Sequence, residues 1–451
     1  MSDLFGVAIF IFGLLLSIGL HEIGHMLPAK KFGVRVSQYM IGFGPTLLSK
    51  IKGDTEYGLK AIPLGGYVRI LGMFGPRNKP LKRESVTTSR VEDAQADDES
   101  EPDSFFTTLI ENARSVSATE ISENPDKIPF YQLSAPKKFV VMFGGPFMNL
   151  ILGSIFLMVA QVGIGNPVAT TKIATVTSCI ATEANPEGIL STDGTCGEGD
   201  FSPAHVIGIK PGDTLLKINN TQISAWSDLA ATLTKLENTN TQVTFQHDGK
   251  LVSKFAVLPA REIPIYDATG QPTDKTETVG YVGVSPVIEM QSAPMSQMPS
   301  YLGGQLKDTF GAILSFPSSV WSMGETLFSS EPRPADGPVS VVGISQISGQ
   351  IASDGQATTT DKLASFLYLF GSLNLFLFAF NLVPILPLDG GHLLGAIYEG
   401  SRRQLARLLG RPDPGPVDTA RMLPLAYVAG LFLIGLAIIS ILTDLIKPIS
   451  F

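Results

Sequence analysis

Two histidines four residues apart, with a glutamate beside the first, are the most reactive grouping in this chain: His21-Glu22-Ile23-Gly24-His25. On a helix, positions i and i+4 share a face, so both imidazoles can reach one ion while Glu22 falls close to the fourth coordination position. That is the donor set of a hydrolytic zinc site, in which the ion lowers the pKa of a water toward about 7 and a carboxylate receives its proton. Catalytic zinc takes three protein ligands and keeps one position open, so a third donor is needed. Asp389 is the candidate. It follows an uncharged run, 363–388, and sits in Asn381-Leu-Val-Pro384-Ile-Leu-Pro387-Leu-Asp389-Gly390-Gly391-His392. Two prolines there break a helix and two glycines free the backbone to line a protected cavity. His392 reads as a polar boundary residue; His205 and His247 lie in a separate module.

These residues must be positioned by a membrane protein. Apolar residues make up 44% of the 451 positions and charged residues only 16%, with a mean hydropathy of +0.23. The charge-free runs 4–21, 139–171, 363–388 and 422–443 are each near the ~20 residues that cross ~30 Å of hydrocarbon. They predict spans at 1–27, 137–163, 363–388 and 422–446. The first lacks a basic leader and runs into His21-Glu22 rather than a cleavage site, so it is expected to be a retained span. A net charge of −8 with no long basic block outside the membrane flanks excludes a nucleic-acid-binding face.

Flanking charge sets the orientation. Lys30, Lys31, Arg35, Lys127, Lys137, Lys138 and Arg402, Arg403, Arg407, Arg411, Arg421 lie on one side, against Lys172, Lys362 and Lys447 on the other. The positive-inside rule then makes 26–138 and 389–421 cytoplasmic, with 164–362 and both termini outside. His21, His25 and Asp389 therefore meet one membrane face. The outward segment holds both cysteines, Cys179 and Cys196, which an oxidising compartment could bridge.

Of the parts between spans, 28–136 is expected to carry a hairpin at 54–72, around Pro63 and Gly65-Gly66, with a sheet edge able to pair with an extended peptide. Within the same stretch, 84–126 holds twelve acidic and two basic residues with many Ser and Thr, which predicts a flexible insertion. Residues 168–288 read as a compact β-rich module with strands at 171–176 and 214–219, a helix over 226–236, and a turn at Gly208-Ile209-Lys210-Pro211-Gly212-Asp213. Residues 289–362 form a linker with amphipathic pieces such as 302–327, suited to a membrane surface. Residues 389–421 form a second cytoplasmic loop.

With His21-Glu22-x-x-His25, its apolar setting and Leu388-Asp389-Gly390 in place, the chain resembles the site-2 protease family of intramembrane zinc metalloproteases. Within that family it is similar to the bacterial branch typified by the regulator of sigma-E protease, with a single PDZ module. The resemblance implies a polytopic α-helical membrane protein of four transmembrane helices, a membrane-associated β-hairpin and an inserted extracytoplasmic α+β PDZ domain at 168–288. It implies Zn2+ held by His21, His25 and Asp389, with Glu22 as catalytic base. Gly145-Pro-Phe-Met-Asn149 matches the family's G-x-x-x-N pattern and Asn381 the Asn ahead of its L-D-G run, which implies substrate contacts at Asn149 and Asn381. Leu64-Gly65-Gly66-Tyr67-Val68 looks like the family's β-loop, which implies that Gly65, Gly66 and Tyr67 offer an edge to an unwound substrate. The implied substrates are single-pass membrane proteins such as anti-sigma factors, and signal-peptide remnants; the PDZ module would read peptide C-termini. A bacterial cell membrane is the implied location. Gly337-Pro338-Val339-Ser340 resembles a further signature of the family without an evident role. The rival reading is a non-enzymatic scaffold around a structural metal, which would have no need of Glu22.

Overall fold

A computed structural model describes residues 2–75, 105–180, 196, 201–266, 272–327, 329, 337–355 and 357–447. Among the described residues, four helices are long and apolar enough to cross a membrane, bounded as Asp3–Lys31, Ala135–Ile164, Thr359–Asn381 and Thr419–Ile446. The chain is thus a multi-pass membrane protein carrying additional β structure. It divides into two units, one formed by Met1–Ala160 with Met295–Phe451, the other by Gln161–Pro294.

In the first unit, α1 (Ser2–Lys31) carries the first apolar run and the two histidines as one continuous helix. Strands β1 (Val36–Lys52) and β2 (Thr55–Ile70) follow, then α2 (Phe105–Ser122) and α3 (Ala135–Met158). Both long strands bend, and the pairing departs from the hairpin expected at 54–72. Residues 36–41 lie between two arms of β2. Their numbers rise together with 56–59 on one side, as in Gln38 with Glu56 and Ile41 with Leu59. On the other side they run in opposition, as in Val36 with Ile70 and Ile41 with Gly66. The arms at 55–59 and 66–70 are therefore separated by a strand, and the tight turn is at Gly53-Asp54, where Lys52 pairs with Thr55. Among the described residues, the 66–70 arm pairs on one side only, which leaves it as a sheet edge.

The buried Tyr39 hydroxyl donates to the Gly19 carbonyl at 2.8 Å, fixing this sheet to α1. Burial pushes that phenol up to about 12, so it remains a donor at any physiological pH. Residues 105–122 are helical, where composition predicted a flexible insertion. Arg114 on that helix is buried against Asp418 at 2.5 Å and Ser117 donates to the Phe74 carbonyl at 2.8 Å, contacts that composition does not encode. The first part of the acidic stretch, 84–104, lies outside the described residues.

The rest of this unit is helical, with an interruption at the motif that carries Asp389. Helix α8 (Thr359–Asn381) stops seven residues before the end of the predicted span. Residues 382–388 turn, and α9 (Asp389–Leu408) begins at the carboxylate itself. Pro384 accounts for the stop, since it has no N–H and disfavours helical geometry at the residue before it. Ahead of α8 in the sequence come α6 (Met298–Leu327) and α7 (Val341–Ser353), and α10 (Leu423–Ile446) follows α9. Phe310 of α6 meets Phe378 of α8 edge to face, with ring centroids 6.5 Å apart.

Buried polar contacts help to hold these helices, in a setting where apolar burial between helices gains little over contact with lipid. Lys138 of α3 donates to Glu399 of α9 at 2.7 Å, with both side chains buried, and the Val417 amide donates to the same carboxylate at 3.1 Å. Asp444 of α10 accepts from the amides of Ser340 at 2.7 Å and Gly343 at 3.1 Å, and the Ser340 hydroxyl accepts from Val342 at 3.1 Å. The last residue of the Gly-Pro-Val-Ser signature, Ser340, thereby acquires a role. It is the N-cap of α7, completed by a carboxylate from another helix.

The second unit is a β-rich domain of α4 (Pro203–Ile207), α5 (Trp226–Leu233) and β3 to β10: Asn166–Val176, Thr214–Ile218, Thr221–Gln222, Thr239–His247, Lys250–Leu258, Ala260–Tyr266, Pro272–Gly280 and Val284–Gln291. Its main sheet has the order β10-β3-β4-β6-β7, with β5 on β4 and β8 paired separately with β9. Leu215, Ile218, Val243, Phe245 and Leu258 alternate inward and pack on Ile207 and Leu229. Each such residue contributes about 1.5–3 kcal/mol when fully buried. Asp248-Gly249, both at positive φ, make the two-residue turn between β6 and β7. Cys179 and Cys196 are joined in a disulfide.

Candidate metal centre

The centre is assembled from α1, α3 and the start of α9. Glycines allow α1 and α3 to touch: a Cβ on Gly24 would stand 2.2 Å from the Gly144 carbonyl oxygen, and one on Gly144 2.0 Å from that of Gly24. With the backbones this close, His25 lies directly over Gly145, and its Nδ1 is 2.8 Å from the Val141 carbonyl. One turn further along both helices, running in opposite directions, Asn149 Nδ2 lies 3.1 Å from His21 Nδ1. The two i, i+4 patterns are thus matched: Gly145 to His25 and Asn149 to His21.

Asp389 is delivered from the other side. A Cβ on Gly390 would stand 2.1 Å from the Val383 carbonyl oxygen and one on Gly391 2.6 Å from the Leu386 nitrogen. Only glycine lets the 382–388 turn fold so tightly onto the first turn of α9. The anchor between Lys138 and Glu399 fixes α9 on α3, the helix that also holds both histidines in place.

Three donor atoms converge. His21 Nε2 and His25 Nε2 are 3.2 Å apart, and each is 3.2 Å from Asp389 Oδ2. Tetrahedral zinc with bonds of about 2.0–2.1 Å places its ligands about 3.3 Å apart, so the triangle has the size of one face of that tetrahedron. The proton inventory agrees. A carbonyl accepts only, so His25 Nδ1 carries the proton that it donates to Val141, and the neutral ring turns its Nε2 lone pair toward the other two atoms. The donor set therefore fits a divalent ion with one open position. Among the described residues, these three form the only such group of His, Cys, Asp and Glu.

Glu22 is buried and projects toward the 66–70 edge, where a Cβ on Gly66 would meet its Cγ at 3.3 Å, Ile18 Cγ2 at 2.9 Å and the Met40 carbonyl oxygen at 2.9 Å. The absence of a side chain at Gly66 is what brings a strand edge up to the glutamate. Gly65 sits at φ +88 with its Cα against Phe43, and the Tyr67 ring stacks on Phe43 at 6.2 Å. Asn381 donates to the Leu377 carbonyl at 3.0 Å within its own helix. Asn149 is 1% exposed, so it stands behind His21 rather than on an open surface. His392, outside the triangle, is held down to about 4 by burial and is neutral at physiological pH.

A family profile decides the affiliation: that of peptidase family M50, the site-2 proteases, matches residues 9–409. The chain belongs to peptidase family M50. Its relatives within reach of sequence comparison include zinc metalloprotease Rip1 of Mycolicibacterium smegmatis, 31% identical across 99% of this chain and 98% of the relative. Zinc metalloprotease RasP of Shouchella clausii is 24% identical, covering 85% of this chain and 87% of the relative. The probable protease eep of Enterococcus faecalis is 27% identical over 87% and 90%. The M50 match spans both halves of the centre, from His21 to Asp389, and the whole of the β-rich unit between them.

Two positioning elements had no sequence signal of their own: residues 36–41, inserted between the arms of β2, and the pair Lys138 and Glu399. A lysine and a glutamate 261 positions apart do not announce a contact.

Proposed function

We propose that the chain is a zinc-dependent endopeptidase that cuts transmembrane segments of other proteins within the membrane. The observation that carries this reading is the triangle of His21 Nε2, His25 Nε2 and Asp389 Oδ2 beside a buried glutamate at the end of a membrane helix. Membership of a peptidase family and relatives named as zinc metalloproteases support both the metal and the reaction. His21, His25 and Asp389 would hold Zn2+, which would supply the acidification of a water and the polarisation of the scissile carbonyl. Glu22 takes the proton of the attacking water and returns it to the leaving amine.

A helical substrate hides its amides in i→i−4 bonds and must unwind to be cut. The 66–70 edge, held against Glu22 by the bare Gly66, offers replacement hydrogen bonds, with Gly65 and Tyr67 at its approach. Substrates are single-pass membrane proteins, with anti-sigma factors and signal-peptide remnants as the expected clients and Asn381 among the contacts. The flanking lysines and arginines support a cytoplasmic placement of the catalytic end of α1. The Cys179–Cys196 bridge supports an extracytoplasmic β-rich unit in a bacterial cell membrane, acting as a PDZ module on peptide C-termini.

The test is cleavage of a synthetic transmembrane peptide by purified protein in detergent. Glu22→Gln is expected to abolish cutting while zinc is retained; undiminished cutting by that variant would refute the mechanism.

A further inference from the structure

The environment of His21 carries one step more. Its ring has the same task as that of His25, to turn Nε2 toward the other two donors, yet among the described residues no backbone carbonyl stands behind it. What stands there is the Asn149 amide, 3.1 Å from Nδ1 and 1% exposed. The other end of that amide, Oδ1, is buried without a partner among the described residues. The two ends of a carboxamide are nearly equal in shape, and which one faces His21 is decided by the hydrogen-bond network. A neutral imidazole that offers the Nε2 lone pair carries its proton on Nδ1 and can only donate from there, so it requires an acceptor. Rotating the amide by half a turn supplies one and leaves the ring where it is.

We propose that Asn149 is a positioning residue for the metal: its Oδ1 accepts the Nδ1–H of His21 and fixes the tautomer and ring plane that present Nε2. This rests on the zinc reading above and departs from a substrate-binding role for Asn149, which its burial does not favour. Partners of this kind, accepting from the far nitrogen of a ligating histidine, raise metal affinity by about 10–100-fold. The counterpart on His25 is the Val141 carbonyl, so both ligands on α1 are oriented by α3.

The experiment is competition for zinc between the detergent-solubilised full chain and a chelator of known affinity, with no substrate present. Asn149→Leu keeps the volume and removes the acceptor; Asn149→Asp keeps an acceptor at the same place. The expected result is zinc affinity 10–100-fold weaker for the leucine variant and within a few-fold of the intact protein for the aspartate variant. Equal weakening in both would mean that the site needs only the native packing, and would overturn the proposal. So would unchanged zinc affinity in Asn149→Leu, including the case where the KM for a peptide rises. If Asn149→Leu does not fold, Asn149→Ala is judged by the same criteria. Absence of zinc from the intact protein would remove the zinc reading itself, whereas normal zinc in the leucine variant would remove this proposal alone.

Discussion

The imidazole of His25 occupies the space in which a side chain on Gly145 would stand, with Nε2 only 2.1 Å from the ideal Cβ position. The G-x-x-x-N pattern is therefore half of the candidate metal site, its glycine making room for His25 and its asparagine meeting His21. Gly145→Ala is expected to displace His25 and weaken zinc binding by at least the ~10-fold typical of a disturbed ligand shell. Gly430→Ala serves as control, since a Cβ there meets nothing within 4 Å. Metal analysis of the two purified variants checks this; equal zinc in both would show that α1 and α3 are not held as described.

The strand edge should be separable from the metal. Gly66→Val places branched carbons against Ile18, Glu22 and the Met40 carbonyl, pushing the 66–70 edge off the glutamate. Cleavage of a transmembrane peptide is expected to fall at least tenfold with zinc content unchanged, as measured on one preparation.

Lys138 and Glu399 are both buried, so removing the lysine leaves the carboxylate with only the partly exposed Arg403, 3.3 Å from its other oxygen, as counter-charge. Lys138→Met is expected to destabilise the fold by about 3–5 kcal/mol, seen as a lower midpoint of thermal unfolding in detergent. Adding Glu399→Gln should restore part of the loss, because the buried charge is then gone, the amide oxygen can still accept from Val417 and Arg403 keeps Asp413 at 3.4 Å. A double variant less stable than Lys138→Met would contradict the pairing.

Asp444 closes the N-terminus of α7. Asp444→Ala leaves the Ser340 and Gly343 amides without their acceptor, at a cost of about 1–3 kcal/mol for the buried Gly343 amide and less for the half-buried Ser340. Asp444→Asn, which keeps a carbonyl oxygen, should recover much of it. Thermal unfolding of the pair checks the order of stability.

The candidate metal ligands were legible because helical spacing alone puts His21 and His25 on one face, and because Asp389 ends a long uncharged run. The four spans were legible for a similar reason, as lipid demands length and apolarity that few other structures need. The sheet was not, because a strand at 36–41 separates the arms that local alternation around Pro63 joined into a hairpin. The α2 helix escaped because Arg114 is buried by a partner 304 positions away. The Gly-Pro-Val-Ser cap needed Asp444, and the role of Asn149 needed the position of His21. In each case the missing information was a long-range contact between polar groups, which hydrophobic periodicity does not carry.

The centre joins α1 to α9 through residues 364 positions apart, and zinc content reads that junction directly. Metal analysis of the purified full chain and of Asp389→Ala is the decisive measurement. A single zinc per chain in the intact protein, and loss of most of it in the variant, is the expected result. Zinc retained in full by Asp389→Ala would contradict it.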